Sequence, residues 1–295
     1  MGSYYCLMAG APELTLADTN KGLTVEAFKE ELEAHLTETD RKLLFFFFLK
    51  YDCRNLVRML KNPQAEIDER GNFERWQLED LITSARQINF NVHRYPAFMS
   101  VFAREFDYNK DKEGYFPEDQ MALLYYEYAM KVPDSMMAEW FVMNLDITNI
   151  LTALIARKYG WNVSRYIVGD TPVNEMLRTE NAADFGLTHL LDFMPDLIRI
   201  VDCQDPVEKE RQMDALKWNW LDEQTFLDPF NVDAVFAYLA KLDILERWAM
   251  LDVEEGKKTF TTIINNLRSE AQVPHEFTIS GAQAAARAAR GQLLE

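Results

Sequence analysis

Cysteine is scarce in this chain. Cys6, Cys53 and Cys203 lie far apart and form no C-x-x-C pair, so neither a disulfide framework nor a thiolate zinc site is indicated, and a reducing compartment is the default. Glycine is low as well, 11 in 295 residues, which argues against a loop-rich or β-rich fold. Histidine is equally thin. Leu32, Phe90, Gly186 and Gln272 stand three residues before His35, His93, His189 and His275, so the Glu-x-x-His pairs that build a di-iron centre are missing. The zincin, P-loop, dinucleotide-binding and G-x-S-x-G patterns are also lacking. With no nucleophile, metal cradle or phosphate loop in view, an enzyme is the poorer reading, although acid/base sites assembled from distant residues leave no local signature. No metal or cofactor is expected.

Positive charge is in short supply. Lys and Arg total 31 against 48 Asp and Glu, a formal charge of −17, which repels nucleic acid unless a local basic stripe overrides it, and no such stripe stands out. A solvated acidic surface and a basic protein partner both suit that balance. Long apolar runs are absent too. The longest is Leu43 to Leu49, LLFFFFL, against the roughly 20 residues of a membrane-spanning helix, so no direct membrane span is expected. The opening MGSYYCLMAG has no basic stretch followed by an apolar one, and Cys6 occupies the place where a myristoylation signal takes Ser or Thr, which leads us to expect neither export nor a lipid anchor.

What is abundant is apolar side chain, 48% of residues, with 13% aromatic, ample for a large core. It recurs at helical spacing, as in Val25, Phe28, Leu32 and Leu36, or Met121, Leu124, Tyr125 and Tyr128, which predicts an all-α protein. Pro96, Pro117, Pro133, Pro172, Pro206 and Pro229 fall where helices should start, and Gly160, Gly186 and Gly256 where they should stop. Trp218 and Trp220 are two apart and cannot share a helix face, so one of them is expected at the surface or an interface. The Ala/Arg-rich end, 271–295, is expected as a short surface helix that binds a partner or none. Asp107, Asn109, Asp111 and Glu118 occupy places 1, 3, 5 and 12 of a calcium loop, yet Lys112 fills the sixth place, where Gly is needed. A solvated acidic loop is the reading there.

One polar pattern recurs inside apolar helices. Asp52 and Asn55, and Asp146 and Asn149, are each three apart and share a helical face. Asp243 with Glu246 forms a third, degenerate copy. Asp146 follows Asp52 by 94 residues, and Asp243 follows Asp146 by 97. Aligned on the Asp, Phe47, Phe141 and Tyr238 stand five before and Leu60, Leu154 and Leu251 eight after. A period of about 95 residues is too long for short solenoids and suits three helical sub-units about a pseudo-threefold axis. The pairs read as polar networks fixing helix register, or alternatively as direct ligand contacts.

The segments FLKYDCRNLVRMLK, FVMNLDITNILTALIARKYGW and PFNVDAVFAYLAKLDILERWAMLDVEEGKKTF resemble the repeats of the C subunit of V-type and A-type rotary ATPases, called subunit d in eukaryotes. The last carries Ala237, Tyr238, Leu239, Asp243, Glu246 and Arg247 in the family's order. An expected early Arg is absent and the chain is shorter, as in a divergent branch encoded beside V-type ATPase subunits. The resemblance implies three helical wedges (24–115, 116–222 and 223–270) in one funnel-like body over 1–295. It implies a non-catalytic central-stalk component, cytoplasmic and peripheral to the membrane, whose partners are the central shaft and the membrane rotor ring. Asp52, Asn55, Asp146, Asn149, Asp243 and Glu246 would then brace the wedges or line their inner wall. An adaptor unrelated to ATPases and an enzyme with dispersed carboxylates are the alternatives. On this reading, Asp146→Asn is expected to loosen the fold or shaft binding while abolishing no catalysis.

Overall fold

The computed structural model describes residues 4–17, 23–87 and 94–250. Among them lie eleven α-helices, one 3-10 turn and no strand, as the helical periodicity predicts. They are α1 (Tyr5–Gly10), α2 (Val25–Glu33), α3 (Glu38–Lys61), α4 (Arg75–Ala85), α5 (Ala97–Asn109), α6 (Pro117–Ala129), α7 (Ser135–Lys158), α8 (Pro172–Thr179), α9 (Met194–Asp202), α10 (Pro206–Thr225) and α11 (Val232–Met250).

Local chemistry sets the helix ends. Thr24, Thr37, Asp134, Thr171 and Asp205 cap α2, α3, α7, α8 and α10 by accepting backbone N–H bonds. Pro117, Pro172 and Pro206 open α6, α8 and α10, where the missing N–H is unpaired anyway. Gly160, just past the end of α7, takes φ 69°, the left-handed conformation that ends a helix most cheaply in glycine, whereas Gly186, expected to stop a helix, takes φ 72° in a turn beyond α8, which already ends at Thr179.

The helix order repeats. A 24-residue helix, α3, is followed by loop 62–74 and α4, α5 and α6; a second 24-residue helix, α7, is followed by a loop of the same length, 159–171, and α8, α9 and α10. A third long helix, α11, then begins. The rings of Phe47 and Phe141 pack edge-on against Phe236 at 5.5 and 6.0 Å, so α3, α7 and α11 meet at one aromatic point. Phe236 stands seven residues before Asp243, whereas Phe47 and Phe141 stand five before their Asp. The third copy is therefore displaced by two residues, about 200° around a helix, and the position aligned with Phe47 by sequence, Tyr238, instead packs on Phe28 at 4.7 Å.

The chain divides into two compact units, 1–244 and 245–295. Only Leu245–Met250 of the second unit are described. The third expected repeat, 223–270, and the 271–295 tail thus extend outside the described residues, as does Gly256. Neither Trp218 nor Trp220 is exposed, contrary to expectation. Trp218 is buried, and Trp220 is half-buried 5.8 Å from Trp140. Nearly opposite faces of α10, about 200° apart, are therefore both at least half covered.

The N-terminal segment fastens this body from outside. Tyr4 donates its backbone N–H to Phe230 O at 2.8 Å and its hydroxyl to buried Asp40 Oδ2 at 2.5 Å. Burial and the Asp40 carboxylate push the Tyr4 phenol up to about 12. Tyr238 on α11 donates to Pro12 O at 2.9 Å. Tyr4→Phe removes the phenol donor from a buried carboxylate and is expected to lower stability by about 1–3 kcal/mol, measured as the shift of the urea midpoint at constant slope.

Candidate functional site

The repeated polar pairs mark two loop clamps. In α3, Asn55 holds the loop that follows its own helix by both ends of its amide: Nδ2 donates to Asp68 O at 2.8 Å, and Asp68 N donates to Oδ1 at 2.8 Å. One turn earlier, Asp52 accepts from Asn72 N (2.9 Å), Asn72 Nδ2 (2.8 Å) and Phe73 N (3.0 Å). Later loop residues thus meet earlier helix residues, and loop 62–74 doubles back along α3. Lys29 of α2 closes the loop from the other side by donating to Arg70 O (3.2 Å) and Gly71 O. Arg75 reaches back to Pro63 O and Ala65 O. Gly71 is required by space: a Cβ there would overlap the Asp52 carboxylate, 3.1 Å from its carbon. Burial raises the Asp52 carboxyl to about 6, against the lowering pull of its N–H donors and Lys29. Burial likewise lowers the Lys29 ammonium, with Asp52 opposing it.

The second station repeats the amide lock. Asn149 Nδ2 donates to Val168 O at 2.7 Å, and Val168 N donates to Asn149 Oδ1 at 2.9 Å. Asn174 of α8 thickens it by accepting from Asn149 Nδ2 at 2.9 Å and donating to Val168 O at 2.8 Å. The carboxylate differs. Asp146 is buried like Asp52 but, among the described residues, meets only the Thr171 hydroxyl, at 3.4 Å. Desolvation raises it to about 6 with little opposition. Both Asp–Asn pairs therefore fix the loop after the helix, which is a more specific task than the helix register expected from sequence.

The third position behaves otherwise. Asp243 turns to the first repeat, accepting from Lys50 Nζ at 2.7 Å and Tyr51 OH at 2.5 Å, with Arg70 Nη1 at 3.8 Å. Arg70 also forks onto Asp68 through Nε (2.8 Å) and Nη2 (2.6 Å) and lies over the Tyr51 ring. Burial alone would raise Asp243, but Lys50 and Tyr51 hold it down at about 2. The two-residue displacement of α11 explains the change, because it aims this side chain at α3. Glu246, one turn on, is half-buried in the second unit. The sequence pattern thus locates two equivalent stations and one interhelical ion pair. It missed Lys50, Arg70 and Lys29, which lie outside the repeated positions, and a one-letter alignment carries no signal for them.

Chemically, these groups hold. Asp52 is sealed by backbone N–H groups and Asp243 is paired with Lys50, while Asp146 is buried against the Thr171 hydroxyl. A shallow pocket of about 340 Å³ lies beside the second station, lined by Asp170, Thr171, Pro172, Glu175 and Arg178. Among the described residues, no group of three or more His, Cys, Asp or Glu is placed to hold a metal. In the rejected calcium loop, Asp107 pairs with Arg86 (2.5 Å) and Lys110 (3.2 Å), and Glu118 pairs with Lys61 (2.5 Å).

Gly71→Ala is expected to cost about 1–3 kcal/mol by overpacking, seen as an earlier urea midpoint. Asp52→Asn turns an amide N–H toward existing donors and is expected to cost about 2 kcal/mol at pH 7.5. Asp146→Asn, which loses no N–H partner and removes a desolvated charge, is expected to be neutral or stabilising by about 1 kcal/mol at that pH. This reverses the expectation from sequence. A carboxyl raised from 3.8 to about 6 on folding binds its proton more tightly when folded. Its contribution to stability is full below the unfolded value and is lost as pH rises through 6. The wild-type urea midpoint should therefore be higher at pH 5 than at pH 7.5, with a smaller difference in Asp146→Asn.

No curated protein and no solved structure matches the chain. One family model does, over residues 1–271, and the chain belongs to the family it describes as "Protein of unknown function (DUF2764)".

Proposed function

We propose that this chain is a non-catalytic central-stalk component of a V-type rotary ATPase, a socket that links the central shaft to the membrane rotor ring and is itself peripheral to the membrane. The observation that carries the reading is the duplicated amide lock, Asn55 on Asp68 and Asn149 on Val168, in helix sets of the same order. Within this chain it adds a repeated hydrogen-bonding device to the repeat read from apolar spacing. A torque-bearing socket calls for a body whose loops do not yield, and each clamp converts a 13-residue-scale loop, roughly 40 Å of extended chain at most, into a fixed part of its helix. A dense core supports the same task, and no described helix is long and apolar enough to cross a membrane.

The acidic surface supplies long-range attraction for basic partner faces. Asp52 and Asp243, held by backbone donors and by Lys50, and a shallow pocket give an enzyme with dispersed carboxylates little to work with. A helical adaptor unrelated to ATPases is favoured by one observation, the exposed ring cluster at Tyr159, Trp161 and Tyr166. Co-expression of the tagged chain with the shaft and ring subunits of its own organism separates the two readings. The rotary reading expects the shaft subunits to co-elute at low salt, where electrostatic contacts are strongest. Elution without them, or with a different stable partner in their place, contradicts it.

A further inference from the structure

The two stations share a scaffold but present different surfaces. Loop 62–74 carries Glu66, Asp68, Glu69 and Glu74, and its single ring, Phe73, packs inward on Phe45 at 6.0 Å and Tyr95 at 5.4 Å. Loop 159–171 carries one acid, Asp170, and turns three rings outward: Tyr159 is 64% exposed, Trp161 53% and Tyr166 46%. These rings form a continuous run. Tyr159 stacks on Trp161 at 5.3 Å and 26°, and Trp161 lies 5.8 Å from Tyr166. Single exposed apolar residues are ordinary, whereas a contiguous exposed cluster on a folded domain marks a contact site.

The run is held still. Gly160 turns the chain at φ 69°, Trp161 N donates to Ala156 O at 2.7 Å, and the Asn162 side chain accepts from Ser164 N at 3.0 Å. Val168 is locked by Asn149. Rings fixed before binding lose little freedom on binding, which raises affinity for a given area.

Along this stretch of the chain the charge is opposite in sign to that of the whole sequence. From Ile147 to Gly169 there is no Asp or Glu, while Arg157, Lys158 and Arg165 all fall in this stretch. Arg157 is committed to the Ala182 and Glu180 carbonyls and the Phe185 ring. Among the described residues, Lys158 reaches only Asp202, at 3.5 Å on the surface. Arg165 is exposed and makes no ion pair among the described residues. Two cations therefore flank three rings in a chain of formal charge −17.

We propose that Tyr159, Trp161 and Tyr166, flanked by Lys158 and Arg165, form a docking platform for an acidic segment of a partner protein that carries apolar side chains between its carboxylates. The rings receive the apolar groups and the cations the carboxylates, the Trp, Tyr and Arg combination that dominates binding energy at protein interfaces. Stacked bases of a single strand would use the same groups. The large net negative charge opposes a polyanion far more than a short acidic segment, whose few charges sit within a Debye length of Lys158 and Arg165. This platform is independent of the rotary reading and holds for a partner of either kind.

The test uses the full chain and a fluorescein-labelled peptide alternating Glu and Asp with Leu and Phe, followed by fluorescence anisotropy. A peptide with Lys and Arg in place of the acids and a single-stranded oligothymidylate serve as competing probes. The acidic peptide is expected to saturate, to weaken at least about tenfold in Trp161→Ala and in Arg165→Glu, and to weaken with added salt; the other two probes should not saturate. Both substitutions lie on the surface, and unchanged circular dichroism and urea midpoints establish that the variants fold. The proposal is overturned if the acidic peptide fails to saturate, if it binds both variants as tightly as the wild type, or if the oligonucleotide or basic peptide binds more tightly through the same residues.

Discussion

The rest of the described structure depends on a side-chain amide standing in for a peptide group. Asn55 and Asn149 each present a donor and an acceptor to one residue of the loop that follows their helix, and that residue answers with its own C=O and N–H. Buried backbone groups that find no partner cost as much as a lost hydrogen bond, and a loop folded back over an apolar helix would otherwise strand them. Placing the amide inside the helix solves this from below. It also fixes where the next helix begins, since α4 and α8 start within a few residues of the locked positions.

The carboxylates one turn earlier divide the labour unequally. Asp52 gathers three N–H bonds and lies under Lys29, whereas Asp146 keeps its burial with a single long hydroxyl contact. The second station therefore rests on its two asparagines, Asn149 and Asn174, more than on its acid. Asp243 ties α11 to α3 through Lys50 and Tyr51. Removing one partner of this partly buried pair leaves the other charge uncompensated. Three long helices thus meet at Phe47, Phe141 and Phe236, with polar devices around that apolar centre.

Much of this was legible from residues alone, for identifiable reasons. Helices followed from apolar spacing and from proline and glycine punctuation, which act over one turn. Asp52, Asn55, Asp146 and Asn149 stood out because a polar pair inside an apolar stretch has few physical explanations, and it recurred at near-equal spacing. What the pair bonds to was not legible, since Asp68 and Val168 contribute backbone, which has no letter. Asp243 misled because an identity can survive a two-residue shift of its helix, and only the packing of Phe236 reveals that shift. The exposed rings of YGWNVSRY were passed over in favour of Trp218 and Trp220, because exposure depends on what α10 packs against.

The most direct measurement of the central claim is amide hydrogen exchange at Asp68 and Val168. Both lie in loops between helices, where exposed amides exchange quickly, yet each N–H is donated to an asparagine side chain. The account predicts protection at both amides comparable to that of the core of α3 and α7, lost locally at Asp68 in Asn55→Ala and at Val168 in Asn149→Ala. Exchange at unprotected loop rates in the wild-type chain would contradict it.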